Sequence, residues 1–561
     1  MKKVFRSTSV ALTLALSAGL FAPGAAISEK TAHAAEQEFV PYYGTGPSYI
    51  QPENIAHLFP KPHVTFDTPA FQQGRLAFTS QEEMMDVLKQ IDRKNRYATL
   101  QILGQSAEGR DIPLLMFSKD ASHKKGYAHK KKPLIWVQSQ IHGNEPAAGE
   151  SALVLAKMLA EGKLGPVLDK VDIAIIPRVN PDGSYYFKRT VANNNDANRD
   201  YMKAEYVEVQ TVHKAVNAYQ PDVVLDAHEY TVNSSQLKNV GEKGALPSYD
   251  LLISSAKNLN IPAELRKTSD SLLLEKVNKT LDKAKLSHND YYTLDVEDGQ
   301  LVATEGSTET RIGRNALGLK NTLTYLIETR GINIGRADFE RRVYAQVVAQ
   351  ASFIQNTAAH AEKVKSVVEK ARKEVIVKGS KANDNDKVVV TSENKRMLNR
   401  TLEVVDLAKA EKVKTPIIWE DSTEAYPTLV RDRPTAYILP PGAGSDVAAK
   451  KLQILGVKVA KLSTAATLPV ETYNVTSSTI STTPESGHYT NKVTTDVVKK
   501  KHAFPAGSYV LEMSQSNANF IALALEPESI DSYVTFNFIT AKKGEEIPVY
   551  RYMKSKKLKT K

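Results

Sequence analysis

The chain reads as an α/β protein. Two apolar runs, Pro133-Leu134-Ile135-Trp136-Val137 and Val223-Val224-Leu225, have the length and composition of buried strands, and each leads to a histidine. Between residues 78 and 375 such runs alternate with longer helical stretches, the pattern of a sheet covered by helices. The 561 residues exceed what one hydrophobic core usually supports, so a second, smaller α/β or β-rich domain is expected after the first.

Taken in order, the elements divide the chain into five parts. Lys2, Lys3 and Arg6 precede an apolar run over 10–21, and Ala32-His33-Ala34 supplies small residues for cleavage. This is the pattern of a secretory signal peptide over 1–34, its apolar run falling short of the ~20 residues that cross a bilayer. A Pro- and Tyr-rich lead segment follows over 35–77. The α/β region over 78–375 contains an expected helix at 145–161, a strand at 171–176 and a long helical run at 339–373. Lys378-Gly379-Ser380-Lys381-Ala382-Asn383-Asp384-Asn385-Asp386 is polar and apolar-poor, so 376–390 is expected to be a linker. The remainder, 391–561, is expected to be an accessory domain. Residues 435–439, 447–455 and 457–462 there read strand–helix–strand, and 508–511 and 533–538 read as strands.

The chemistry concentrates at the ends of predicted strands, where α/β sheets bind ligands. Ile141-His142-Gly143-Asn144-Glu145 follows the first apolar run and supplies His142 and Glu145; His228 ends the second. Two imidazoles and one carboxylate form a three-ligand zinc set that leaves the fourth position for water or substrate. An H-x-x-E step alone recurs by chance on solvated helix faces, and a lone strand-end histidine is usually not a ligand. Their placement gives these three residues weight. The other histidines, such as His57, His123 and His360, have no such setting.

Further segments fall in a fixed order around these residues. They are Gly104-Gln105-Ser106-Ala107-Glu108-Gly109-Arg110, Asn180-Pro181-Asp182-Gly183, Asp196-Ala197-Asn198-Arg199 and Leu326-Ile327-Glu328-Thr329-Arg330-Gly331. With His142, Glu145 and His228 they resemble the zinc carboxypeptidase superfamily of carboxypeptidase A-like metallopeptidases, over roughly residues 78–358. The chain looks like a secreted bacterial member with a C-terminal extension. The resemblance implies a mixed eight-stranded sheet with helices on both faces and one Zn²⁺ per chain on His142, Glu145 and His228. It implies Glu328 as general base and acid, Arg189 rather than its neighbour Lys188 as oxyanion donor, and Asn198 with Arg199 as the grip on a terminal carboxylate. It also implies Asp196 as the carboxylate that orients the first ligand histidine.

Two departures bear on substrate choice. The family places an arginine inside the H-x-x-E step, where this chain has Asn144, and a mobile tyrosine in the stretch that here runs from Thr304 to Arg314 without one. Arg311 and Arg314 in that stretch fit either an acidic substrate group or a solvated loop.

The formal net charge is +11, much of it in Lys499-Lys500-Lys501 and the lysines of the last eight residues. No aromatic residues interleave with these runs, which argues against a nucleic-acid partner. A solvated tail or attraction to an anionic cell-wall polymer remains as the expectation. Cysteine is absent, so an exported fold must hold without disulfides. The expected function is a secreted zinc metallocarboxypeptidase acting on peptides, extracellular or wall-associated. A zinc amidase on cell-wall peptides or acyl-amino acids, or a catalytically idle wall-binding protein, stands as the alternative.

Overall fold

The computed structural model describes residues 38–120, 131–382 and 384–561, and residues 39–561 cluster as one compact unit. The expected signal peptide lies outside the described residues. The centre of the unit is an eight-stranded mixed sheet formed by β1 (Ala98–Gln105), β2 (Asp111–Phe117), β3 (Leu134–Ser139), β4 (Asp172–Ile176), β5 (Val223–Thr231), β6 (Leu251–Ser255), β7 (His288–Asp290) and β8 (Leu323–Ile332). Their spatial order is β1-β2-β4-β3-β5-β8-β6-β7. The central neighbours β4, β3, β5 and β8 run parallel, while β1, β2 and β6 pair antiparallel with their neighbours on the β8 and β4 sides. β3, β4 and β8 are buried along their whole length, which is why they read as continuous apolar runs rather than alternating ones.

Helices Pro146–Ala160 and Phe339–Ala359 pack against this sheet and each other. The helical run expected over 339–373 is two helices, Phe339–Ala359 and Ala361–Gly379, broken at His360. The lead segment is packed down: Tyr43, Phe66, Ala70 and Phe71 join Phe78, Phe339 and Val343 in an aromatic cluster.

Beyond the sheet the structure differs from the expected five parts. The stretch expected as a linker, 376–390, comprises the end of the helix Ala361–Gly379 and the start of the strand Lys387–Asp406. At that point a Cβ on Gly379 would lie 1.9 Å from the Met513 carbonyl oxygen, so even the polar stretch is closely packed. The strands Lys387–Asp406 and Glu411–Asp432 form a five-stranded sheet with Ala245–Pro247, Tyr292–Glu297 and Gln300–Glu305, in which Val302 pairs with Ile418. A six-stranded sheet lies in the C-terminal part, and Tyr437, Leu452 and Phe520 share one core cluster with Val209, Val212 and Leu317. Buried polar contacts cross the same boundary: Lys320 Nζ donates to the Leu455 carbonyl at 2.6 Å and Asn519 Nδ2 to the Asn260 carbonyl at 2.8 Å.

In the C-terminal part, Ala436–Leu439, Ala443–Ile454 and Tyr509–Glu512 match the strand, helix and strand expected at 435–439, 447–455 and 508–511, whereas the strand expected over 457–462 is reduced to Ala460–Lys461. Residues 533–538 do not form the expected strand. Ser532 Oγ accepts from the Thr535 amide at 2.9 Å and the Phe536 amide donates to the Ser532 carbonyl, so local bonds close a turn that apolar composition alone does not signal.

Candidate active site

The site is assembled at the carboxyl ends of β3, β5 and β8. After β3 the chain turns through His142-Gly143-Asn144-Glu145 into the helix Pro146–Ala160, whose first residue is a proline suited to that position. The turn is pressed onto a second one. A Cβ on Gly143 would lie 1.9 Å from the Gly183 carbonyl carbon, so only glycine allows the two backbones to touch. Asn180 fastens the pair: its Nδ2 donates to the Ile141 and Thr190 carbonyls, and its Oδ1 accepts from the Gly183 amide. Asp182 beside it accepts from Ser106 Oγ at 2.7 Å, the Glu108 amide at 3.0 Å and Arg110 Nη1 at 2.6 Å. Two of the sequence motifs are thus one buried clamp behind the site.

His142, Glu145 and His228 are all buried, and their ligand atoms lie within 4.8 Å of one another. His142 Nδ1 is 2.7 Å from Glu145 Oε1, His228 Nδ1 is 3.0 Å from Glu145 Oε2, and the two Nδ1 atoms are 3.2 Å apart. On the far side of each ring stands a carboxylate. His142 Nε2 meets Asp196 Oδ1 at 3.1 Å. His228 Nε2 has Asp226 Oδ1 at 3.3 Å, too poorly aligned for a good hydrogen bond. Carboxylates behind both rings favour the proton on Nε2 and leave both Nδ1 lone pairs facing the Glu145 oxygens. A buried cluster of lone pairs and carboxylates suits a divalent cation, and the donor set fits zinc. Burial works to raise the Glu145 pKa, yet His142 and His228 outweigh it and hold the carboxyl at about 2. Asp196 is likewise held well below the usual carboxylate range, against its burial, by His142, Arg189 and Arg199.

Glu328 lies directly beside His228, the two residues paired in the β5–β8 register. Its side chain makes no hydrogen bond or ion pair among the described residues, and it is 8% exposed. Burial pushes its pKa up to about 8; Glu145 adds to this, and His228, Arg189 and Arg314 oppose it. Arg189 reaches the cluster from the other side. Its Nε and Nη2 donate to Asp196 Oδ2 at 3.0 and 2.9 Å, while Nη1 lies 3.5 Å from Glu145 Oε1. Arg199, partly exposed, donates from Nη1 to the Asn198 carbonyl at 3.0 Å and lies 4.0 Å from Asp196 Oδ2. Asn198 Oδ1 accepts from the Gly313 amide at 2.8 Å, which orients the side-chain amide and ties the segment to the short helix Gly313–Gly318. All eight residues singled out in the sequence therefore converge on one locus.

Sequence reasoning missed two of its members. Asp226, behind His228, stands two residues earlier on β5, and strand alternation puts it on the same face, a signal that was there to be used. Tyr291 is partly buried, and the charges of Glu328, Arg314, Arg199 and Arg189 act on its hydroxyl, but it comes from a segment with no local mark. The arginine pair in 304–314 separates. Arg311 is consumed by Asp531, Glu485 and the Ile530 carbonyl, whereas Arg314 faces the Tyr291 ring at 5.6 Å. Asn144, at the family's arginine position, keeps a buried Oδ1 without a partner.

Known proteins agree with this picture. A profile of the family described as zinc carboxypeptidase matches residues 84–333. The chain is 33% identical over 485 residues to carboxypeptidase 2 of Trichophyton rubrum, covering 86% of this chain and 88% of that one. The same identity over 486 residues and the same coverage hold for carboxypeptidase 2 of Trichophyton equinum. Probable carboxypeptidase 2 of Arthroderma benhamiae is 32% identical over 82% of this chain and 86% of its own. The likeness to these relatives extends well past the profile match, and the chain belongs to the zinc carboxypeptidase family as a metallocarboxypeptidase hydrolase.

Proposed function

We propose that the protein releases the C-terminal residue of a peptide, with one zinc ion held by His142, Glu145 and His228. The observation that carries the proposal is Glu328, an unpaired buried carboxylate in register with a ligand histidine. Zinc bound there supplies a Lewis acid for the scissile carbonyl and lowers the pKa of water from about 16 towards 7. Glu328 takes a proton from the water whose oxygen attacks the carbonyl carbon, and passes it to the amine nitrogen as the C–N bond breaks. Arg189 donates to the developing oxyanion, a contribution on the order of 3 kcal/mol. Its pairing with Asp196 through Nε and Nη2 fixes the guanidinium and leaves the Nη1 edge towards the ligand cluster. Arg199 grips the substrate's terminal carboxylate, where a guanidinium can engage both oxygens at once, and Asn198 Nδ2 assists. Asp196 and Asp226 hold the two ligand rings in orientation.

The test is Glu328→Gln. The amide cannot accept the proton, so turnover should fall about 10²–10⁴-fold while fold and zinc content stay as in wild type. Comparable hydrolysis at equal zinc content would exclude Glu328 as the base. We also propose that the protein is exported by its N-terminal segment. A lysine-rich surface in the C-terminal part would then hold it near anionic wall polymer.

A further inference from the structure

Arg314 is a strongly buried cation of this locus for which the proposed chemistry has no use. It is 2% exposed, and among the described residues it forms no ion pair. One bond is made, from Nη2 to the Ser307 carbonyl at 2.9 Å; Nε and Nη1 have no partner. A buried guanidinium with unmatched donors is costly, and proteins keep such groups where a ligand completes them. None of the acids whose charge acts on it pairs with it: Glu305 accepts from the Ser422 amide and Thr423 Oγ1, Asp226 Oδ1 accepts from Gln138 Nε2 while its Oδ2 has no partner, and Glu328 is taken by the reaction.

The backbone beside this cation is cut back to make room for it. A Cβ on Gly306 would lie 2.4 Å from both Nη1 and Nη2. Gly306 does not have a positive φ, so its backbone conformation does not demand glycine; the space beside the guanidinium does. The Tyr291 ring lies 5.6 Å from the guanidinium, and the charges of Glu328, Arg199 and Arg189 also act on its hydroxyl. Gly313, the residue before Arg314, donates its amide to Asn198 Oδ1 at 2.8 Å, and a Cβ there would lie 3.0 Å from Asp226 Oδ2, so Arg314 adjoins the site. Asn315 Nδ2 donates to the Ser307 and Glu309 carbonyls, which holds the loop that frames Arg314.

We propose that Arg314 reads a carboxylate on the side chain of the substrate's C-terminal residue, so that the enzyme prefers peptides ending in glutamate or aspartate. The inference rests on the carboxypeptidase reading, in which Arg199 takes the terminal carboxylate and leaves Arg314 for a second one. The ligand carboxylate would satisfy the Nη1 donor and neutralise the buried charge.

The experiment uses the full-length, zinc-loaded protein and peptides identical but for a final Glu, Gln, Leu or Lys. A site built around an otherwise unpaired donor discriminates strongly against a near-isostere that cannot complete it, so kcat/KM for Glu should exceed that for Gln by roughly 10²-fold or more. Arg314→Gln should bring the Glu-to-Gln ratio to within about threefold by the same argument, without abolishing cleavage of the Gln-ended peptide. A second readout does not depend on turnover or on the variant folding. Calorimetry on the Glu328→Gln protein should show N-acetyl-L-glutamate binding at least tenfold more tightly than N-acetyl-L-glutamine, the contribution of one charge-assisted pair. Cleavage of Leu- or Lys-ended peptides as efficient as that of Glu-ended ones would overturn the inference and leave the carboxypeptidase reading standing. Equal binding of the two acetylated amino acids would also overturn the inference. Release of no C-terminal residue from any peptide would overturn both.

Discussion

Asp531, far from the zinc ligands in sequence, should control both stability and activity. Fully buried, it accepts from the Thr310 amide at 2.5 Å, Thr310 Oγ1 at 2.8 Å, the Arg311 amide at 2.9 Å and Arg311 Nε at 2.5 Å. Arg311 is only 4% exposed, so Asp531→Ala leaves its guanidinium with the Ile530 carbonyl and the partly exposed Glu485 and Glu309 in place of a buried carboxylate. Removing one partner of a buried pair costs about 3–5 kcal/mol. For a cooperative unit the size of residues 39–561 the unfolding entropy is about 1 kcal/mol/K, so Tm should fall by about 3–5 °C. The same contact pins the loop whose Ser307 carbonyl receives Arg314. Releasing that loop should lower kcat/KM roughly tenfold or more, since displacements near 1 Å in a substrate-positioning group cost up to about 10²-fold. Zinc content should not change, because no ligand lies on this loop. The assays are calorimetric melting, peptide hydrolysis and metal analysis on the same preparations. A variant with Tm within 1 °C and kcat/KM within twofold of wild type would refute the argument that the C-terminal part shapes the cleft.

Three further outcomes are expected. His228→Ala should lose most bound zinc without unfolding, and Asp226→Asn should weaken zinc binding about 10–100-fold by loosening the ring behind the ligand; full occupancy in the first would remove His228 from the site. Amidating the substrate's C-terminus should sharply reduce cleavage, because Arg199 loses a bidentate partner, and equal cleavage of amide and free acid would point to endopeptidase or amidase chemistry. Pull-down on anionic wall polymer should weaken from low to high salt, as screening of exposed lysines requires, and salt-insensitive binding would reject the electrostatic tether.

What the sequence made legible and what it hid follow from the range of the interactions. His142, Glu145 and His228 could be found because the features that identify them are local: an apolar strand, its end, and a residue type able to bind metal. Glu328 needed only one more step, since its strand is as continuously apolar as the one bearing His228, and parallel neighbours in a sheet bring their carboxyl ends together. Asp226 lay within the same range and needed only the two-residue period of β5.

The domain boundary and the two arginines are different in kind. Residues 378–386 are polar and read as a spacer, but polarity records what a stretch lacks, and it cannot show that a strand beginning at Lys387 will pair with one ending at Asp432 and, through it, with Val302. Arg311 and Arg314 are three residues apart in one loop, with nothing nearby to tell them apart. What separates them is Asp531, some 220 positions later, which takes one guanidinium and leaves the other with two buried donors unpaired. On the proposed reading, specificity is thus decided by a residue that never touches substrate. The C-terminal part, by neutralising Arg311, determines which cation of the loop the substrate can meet.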